Sequence, residues 1–196
     1  MKVAIIPARG GSVRVPRKNI KVFHGKPMLA YPIRAAQESG LFDLIVVSTD
    51  DADIANVAYL CGATVLPRAK DDGTTGTQEV AAKALDTLNI RADLACVIYP
   101  CTPLLDAASL ALGLQRLLMP DAKSYAYSVG PDGKDAGAFY WGWALAFRAR
   151  TPLQGNAAQV VLPTELVCDI NTPEDWARAE QMYDRRAALI QQAIFN

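Results

Sequence analysis

An open, three-layer α/β fold, a mostly parallel sheet with helices on both faces, is what this sequence predicts. Short apolar runs rich in β-branched residues alternate along the chain with amphipathic stretches at helical spacing. The short runs are apolar throughout rather than at every second residue, as strands covered on both faces require. The chain has 196 residues, 51% of them hydrophobic, which suits one domain spanning residues 1–196 with a substantial core.

Taken in order, Lys2–Pro7 (KVAIIP) reads as a buried strand and Met28–Ser39 as a helix closed by Gly40. Asp43–Ser48 (DLIVVS) is a second buried strand. Asp51–Leu60 carries Ile54, Val57 and Ala58 at helical spacing and stops before Gly62. Ala63–Leu66 is a third strand, Thr77–Leu88 a helix with Thr77 as its N-cap, and Asp93–Tyr99 (DLACVIY) a fourth strand. Asp106–Leu118 is a helix with Leu110, Leu114 and Leu117 on one face. From Lys123 the pattern changes. Ser124–Val129 reads as a strand, Gly130–Gly137 (GPDGKDAG) as a loop, and Phe139–Phe147 as a strand or a strand–helix pair. Gln159–Val161 and Leu166–Ile170 read as strands. Thr172–Ile194 is a long last helix, with Thr172 as N-cap, Pro173 in its first turn and Glu174 and Asp175 beside the positive end of its dipole.

Lys+Arg and Asp+Glu each number 20, so the net charge is zero. A generic nucleic-acid or membrane-surface binder needs a basic surplus, so neither partner is expected. The charge is unevenly spread: eight basic residues and no acid precede Glu38, which points to an anionic ligand near the N-terminal end. The four cysteines form no C-x-x-C pair and only one histidine, His24, is present, so no zinc site is expected. The cysteines read as buried thiols of a reducing, cytoplasmic compartment. The apolar run before Arg9 is too short for a signal-peptide core or a membrane span. His24 reads as a turn residue, the pair Asp50–Asp51 as a turn leading into a helix, and most of the aromatic group Phe139, Tyr140, Trp141, Trp143 and Phe147 as core.

The most informative segment is Pro7–Asn19 (PARGGSVRVPRKN). It leaves the C-terminal end of the first strand, where open α/β sheets place their ligands. Gly10, Gly11 and Ser12 let backbone N–H groups approach a ligand closely, and Arg9, Arg14, Arg17 and Lys18 surround them with positive charge. Arginine grips phosphate oxygens in pairs and lysine acts as a point charge. The spacing matches neither G-x-x-x-x-G-K-S/T nor G-x-G-x-x-G, so neither of those phosphate loops is meant.

IIPARGGSVRVPRKNI resembles the opening signature of the acylneuraminate cytidylyltransferase family, the CMP-sugar synthetases. The likeness continues through GKPMLAYPIRAAQESGLFD, VVSTDDADIANVA and CGATVLPRAKDD, and returns at DAGAFYWG and DINTPEDWARAEQMY. DDGTTGT, VIYPCTP and FYWG are most similar to the pseudaminic acid branch. The resemblance implies a Rossmann-like nucleotidyltransferase fold. It also implies transfer of CMP from CTP to an acidic nine-carbon sugar, with release of pyrophosphate and with Mg²⁺ as cofactor. It places Arg9, Gly10, Gly11, Ser12, Lys18 and Asn19 on the triphosphate and Arg68 near the nucleotide. The Asp71–Thr77 loop, Thr77 included, lies at the nucleotide, and Tyr99–Pro103 at the base or sugar. Asp169 and the residue two positions on, here Asn171, fall where the family holds its metal. Arg9, Lys18 and Asp169 are the residues this assigns to catalysis.

Three departures bear on activity. Val13 stands where the family usually has lysine, Asn171 stands where a second aspartate is expected, and the segment between Val129 and Asp135 is shorter than the family norm. The last of these leads to the expectation of a weak homodimer or a monomer. Two readings follow: an active CTP-dependent transferase, and a degenerate homologue that binds nucleotide with little or no transfer.

Overall fold

The computed structural model describes residues 1–70, 75–121 and 123–195. Its elements run β1 (Lys2–Pro7), β2 (Val22–Phe23), β3 (Lys26–Pro27), α1 (Ala30–Ser39), β4 (Leu44–Thr49), α2 (Ala52–Leu60), β5 (Thr64–Pro67) and α3 (Thr77–Leu88). There follow β6 (Leu94–Ile98), α4 (Ala107–Leu117), β7 (Tyr125–Val129), β8 (Asp135–Trp143), α5 (Ala144–Arg148), β9 (Ala157–Val161), a 3₁₀ turn at Thr164–Leu166, and α6 (Pro173–Phe195).

Seven strands form one sheet in the order β5-β4-β1-β6-β8-β7-β9. β1 pairs in parallel with β4 and with β6, and β7 with β9; β8 alone runs antiparallel, against both β6 and β7. The expected mostly parallel sheet is therefore what forms. The chain leaves β1 toward β4 and β5 on one side and returns to β6 on the other. A crevice opens at that reversal, beyond the strands' carboxyl ends.

The pleat sorts each strand's side chains between the two helical layers. Ala4 and Ile6 of β1 and Cys96 and Ile98 of β6 pack with Ile33 of α1, Ile54 of α2 and Leu110 and Leu117 of α4. Val3, Ile5, Ala95 and Val97 face the other way, onto Ala81 and Leu85 of α3 and Phe147 of α5. A third cluster lies outside the sheet: Val15, Phe23, Met28 and Tyr31 pack with Cys101, Ile170 and Trp176. It seats the loop after β1 against the start of α6. Gly40 closes α1 as expected, in a left-handed conformation (φ 61°) that lets its N–H bond to Gln37 O. His24 sits in the tight β2–β3 turn at φ 41°. Among the described residues, no helix is long and apolar enough to cross a membrane.

Three local expectations are corrected. Leu166–Ile170 is not a strand. Its alternation is real, with Cys168 and Ile170 buried and Asp169 exposed, but Leu166 closes the 3₁₀ turn and the buried side chains enter the third cluster rather than the sheet, so the segment forms no ladder. Gly130–Gly137 is not all loop, because β8 begins at Asp135, which pairs with Val129. Thr77 does not cap α3; Gly76 holds that position, and Thr77 is the first helical residue. Of the Asp71–Thr77 loop, residues 71–74 lie outside the described residues.

Candidate active site

The loop after β1 is fastened from beneath by the acidic turn after β4. The Gly10 N–H donates to Asp50 Oδ1 at 2.9 Å. A Cβ on Gly10 would fall 2.6 Å from Asp51 Oδ2, so glycine is required there. Asp51 caps α2 by accepting the N–H groups of Asp53 and Ile54, each at 3.0 Å. Its second oxygen pairs with Arg17 at 2.9 Å, and the same guanidinium reaches Asp53 at 2.6 Å. Asp50 and Asp51 are thus a turn and a helix start, as expected, and in addition the anchor of the loop. Arg17 is turned toward α2, not into the crevice, and Gly10 has its amide engaged by Asp50.

The loop's remaining residues border a cleft of about 340 Å³ at the sheet's carboxyl edge. Arg9, Ser12, Lys18, Asn19, Arg68, Thr77, Asp169 and Asn171, separate in sequence, all line it. Gly10 and Gly11 do not. Among the described residues, four basic side chains and one acid line it, Arg9, Arg14, Lys18 and Arg68 against Asp169. Such a cleft concentrates a polyanion. Val13, 87% exposed, lies on its rim and contributes no charge.

Two of the expected ligand residues are braces. Asn19 is buried; its Nδ2 donates to Arg9 O at 2.8 Å, and its Oδ1 accepts from the Cys101 thiol at 3.2 Å. The amide fixes the backbone at Arg9. Burial pushes the Cys101 thiol up to about 12, so it is a neutral donor. Lys18 Nζ donates to Ile170 O at 2.5 Å, which ties the loop to the segment before α6. Across the cleft, Thr77 Oγ1 and the Tyr99 hydroxyl share a hydrogen bond of 2.7 Å. Burial raises the Tyr99 phenol above its usual range; the Thr77 bond opposes this, and the charges of Asp135 and Asp169 add to it.

The segment before α6 is shaped by a capping box. Asp175 N–H donates to Thr172 Oγ1 at 3.2 Å, while Asp175 Oδ2 accepts the N–H groups of Asn171 and Thr172, each at 3.0 Å. Asp169 is left exposed at the cleft. Asn171, expected as the second metal donor, has its carboxamide engaged at both ends. Nδ2 donates to Asp169 Oδ2 at 2.6 Å and Oδ1 accepts from Arg14 at 3.3 Å.

The sequence reading passed over Asp135. An antiparallel strand begins at the edge where its parallel neighbours end, so the start of β8 lies at the cleft's edge and its third residue, Gly137, enters the lining. Gly137 lines the cleft, and its N–H donates to Asp135 Oδ1 at 2.9 Å. The other Asp135 oxygen accepts from the Tyr140 hydroxyl. Lost hydration holds the Asp135 carboxyl above its ordinary range, against the Gly137 bond and with Asp169's charge adding. The sequence carries little signal for it: only Phe139–Trp143 (FYWGW) is rich in strand formers, while Asp135–Ala138 (DAGA) holds residue types that strands disfavour.

The profile of the cytidylyltransferase family matches residues 3–139. The pseudaminic acid cytidylyltransferase of Campylobacter jejuni serotype O:23/36 is 34% identical over 221 residues, covering 92% of this chain and 95% of that protein. Among solved structures, CMP:2-keto-3-deoxy-manno-octonic acid synthetase complexed with CTP superposes with a TM-score of 0.78 at 15% identity, covering 94% of this chain and 99% of that one. Rv0371C of Mycobacterium tuberculosis, solved with manganese, gives 0.69 at 16% identity, covering 92% and 97%. At these identities the two structures speak for the fold.

Proposed function

The chain belongs to the cytidylyltransferase family, and from that premise we propose that it transfers CMP from CTP to an acidic nine-carbon sugar, pseudaminic acid or a related nonulosonic acid. The observation that carries this reading is the convergence of Arg9, Ser12, Lys18, Arg68 and Thr77 on one cleft with Asp169 at its border. A sugar hydroxyl gives up its proton to water as its oxygen attacks the α-phosphorus of CTP, a new P–O bond forms, and the bond to the β-phosphate oxygen breaks to release pyrophosphate. Nucleophile and phosphate both carry negative charge as they meet. Arg9 and Lys18 lower that cost by standing fixed beside the phosphates, and the Asp50–Gly10 and Asn19–Arg9 bonds keep the loop from reorganising during the reaction.

The donors at the cleft suit Mg²⁺ or Mn²⁺. They are carboxylate and amide oxygens, which hard cations prefer, while the neighbouring Cys101 thiol is neutral and engaged with Asn19. Asp169 is the residue that would hold such an ion, which when bound neutralises phosphate charge as a Lewis acid. Among the described residues no three His, Cys, Asp or Glu side chains gather as a metal cluster. One or two carboxylates together with substrate phosphates satisfy Mg²⁺.

Pyrophosphate release is the test, with each of the four nucleoside triphosphates and a panel of pseudaminic, legionaminic, N-acetylneuraminic and 3-deoxy-manno-octulosonic acids. The expected result is release with CTP and a nine-carbon acid. CTP binding by calorimetry without release from any acceptor would support the degenerate-homologue reading instead. Absence of CTP binding would overturn both.

A further inference from the structure

We infer that Asp135, rather than Asn171, is the second protein donor beside Asp169 for the divalent cation of the transfer reaction. The inference rests on the cytidylyltransferase reading and deepens it. A hard cation can take only one atom of the Asn171 side chain, its amide oxygen, and that atom faces the Arg14 guanidinium at 3.3 Å. The amide nitrogen donates to Asp169 Oδ2 at 2.6 Å. Asn171 therefore links a cation, Arg14, to an anion, Asp169, and orients the carboxylate. A metal at its oxygen would have to displace a positively charged donor and sit beside it.

Asp135 is placed otherwise. Gly137, at φ 59°, turns the first residues of β8 so that its own N–H holds Asp135 Oδ1 at 2.9 Å. The open face of that glycine lies against Asp169: a Cβ built there would stand 3.4 Å from Asp169 Cγ. The two acids thus flank one glycine that lines the cleft. The bonds to Asp135 come from neutral groups, the Gly137 N–H and the Tyr140 hydroxyl. The nearest lysine in sequence, Lys134, pairs with Asp132 at 3.2 Å instead. Two neighbouring carboxylates oriented by neutral donors offer hard oxygens and net negative charge, the donor chemistry that Mg²⁺ and Mn²⁺ select. The charge missing at Asn171 is thereby restored from the first residue of β8.

The test measures CTP affinity by calorimetry at increasing Mn²⁺, in the absence of acceptor sugar, for the wild type and three variants. In the wild type, Mn²⁺ tightens CTP binding. Asp135→Asn loses at least the roughly tenfold of Mn²⁺ enhancement, read as the ratio of its own CTP affinities with and without Mn²⁺, that even supporting residues of metal sites contribute. Asp135→Glu, which restores an acid, recovers most of it. The double variant Asp135→Asn/Asn171→Asp stays as weak as Asp135→Asn, because Arg14 holds position 171. If Asp135→Asn keeps the wild-type enhancement, or the double variant regains it, the inference is overturned while the transferase reading stands. A wild type that binds CTP without any Mn²⁺ enhancement overturns it likewise. A wild type that binds no CTP overturns the transferase reading itself.

Discussion

Lys18 joins parts of the chain that are far apart in sequence, since its ammonium lines the cleft while bonding to the carbonyl of Ile170. Its loss removes a charge-assisted contact worth about 1.5–3 kcal/mol, which at 1.4 kcal/mol per tenfold lowers kcat/KM roughly 10- to 100-fold. We expect Lys18→Ala to show that loss in steady-state pyrophosphate release, with a melting temperature lowered by the lost Ile170 bond but a protein still folded at the assay temperature. A variant that unfolds yet keeps normal activity in its folded fraction would make Lys18 structural only. Cys101 carries a different expectation. Its thiol sits at about 12 in the fold, above the ordinary value of 9.0. The group binds its proton more tightly folded than unfolded, so its contribution is complete below pH 9 and is lost as pH rises toward 12. Cys101→Ser, titrated by denaturant between pH 9 and 11, should show a shallower fall in stability than the wild type. The difference should approach about 1.4 kcal/mol per pH unit, the value for one proton. Residue roles were only partly legible in the sequence. Arg9, Lys18, Asn19 and Asp169, singled out from the sequence, all line the cleft. The bonds that brace Asn19 and turn Arg17 away were not legible, because their partners, Cys101 for one and Asp51 and Asp53 for the other, are distant in the chain and only the fold brings them near.

The elements that read best are those whose neighbours do not matter to their pattern. β1, β4 and β6 are apolar on both faces because helices cover both, and the sequence shows that directly. The segment Leu166–Ile170 has a strand's alternation, yet its buried residues pack with Phe23 and Trp176 rather than a sheet, and no local pattern distinguishes the two. Two predictions belong to this scale. Thr172 caps α6 through a reciprocal bond with Asp175. Thr172→Val should cost about 1 kcal/mol by denaturant unfolding. It should also raise KM for CTP, because the same cap positions Asp169 and Asn171. On α4, Gly113 faces the core: an added Cβ would fall 2.5 Å from Phe139 Cε2 and 2.6 Å from Trp141 Cδ1. Both rings are fully buried and cannot swing clear. Gly113→Ala should therefore destabilise by about 1–3 kcal/mol through overpacking, despite its better helix propensity. An equal or higher unfolding midpoint would show that the layer between α4 and β8 can yield.

For the whole molecule, the N-terminal excess of positive charge resolves into two uses. Arg9, Arg14 and Lys18 line the cleft, while Arg17 pairs with Asp51 and Asp53, Arg34 with Glu38, and Lys21 lies over the Trp176 ring. The charge serves both the ligand and the frame that holds the loop. The association state follows from what the surface offers. The stretch of the Campylobacter protein that aligns with this chain, 221 residues, is longer than the chain's own 196, so the relative carries insertions that are absent here. The β7–β8 connection is a closed hairpin, with Gly130 N–H bonded to Lys134 O at 2.8 Å and Gly133 N–H to Gly130 O at 2.9 Å. It offers no arm with which to embrace a second copy. The sheet's outer strands are β5 and β9, and Val161 on β9 is exposed. Trp143 and Leu145, where β8 meets α5, add further exposed apolar surface. A stable interface needs about 1,200–2,000 Å² of total buried area with a well-packed centre. We therefore expect a monomer or a weak dimer in sedimentation at low micromolar concentration, with a weight-average mass that rises with loading. A mass that stays at twice 21.1 kDa on dilution would overturn this. In that event Trp143→Ser and Leu145→Ser, each outside the cleft, should separate the protomers if the β8–α5 surface has taken the place of the missing arm.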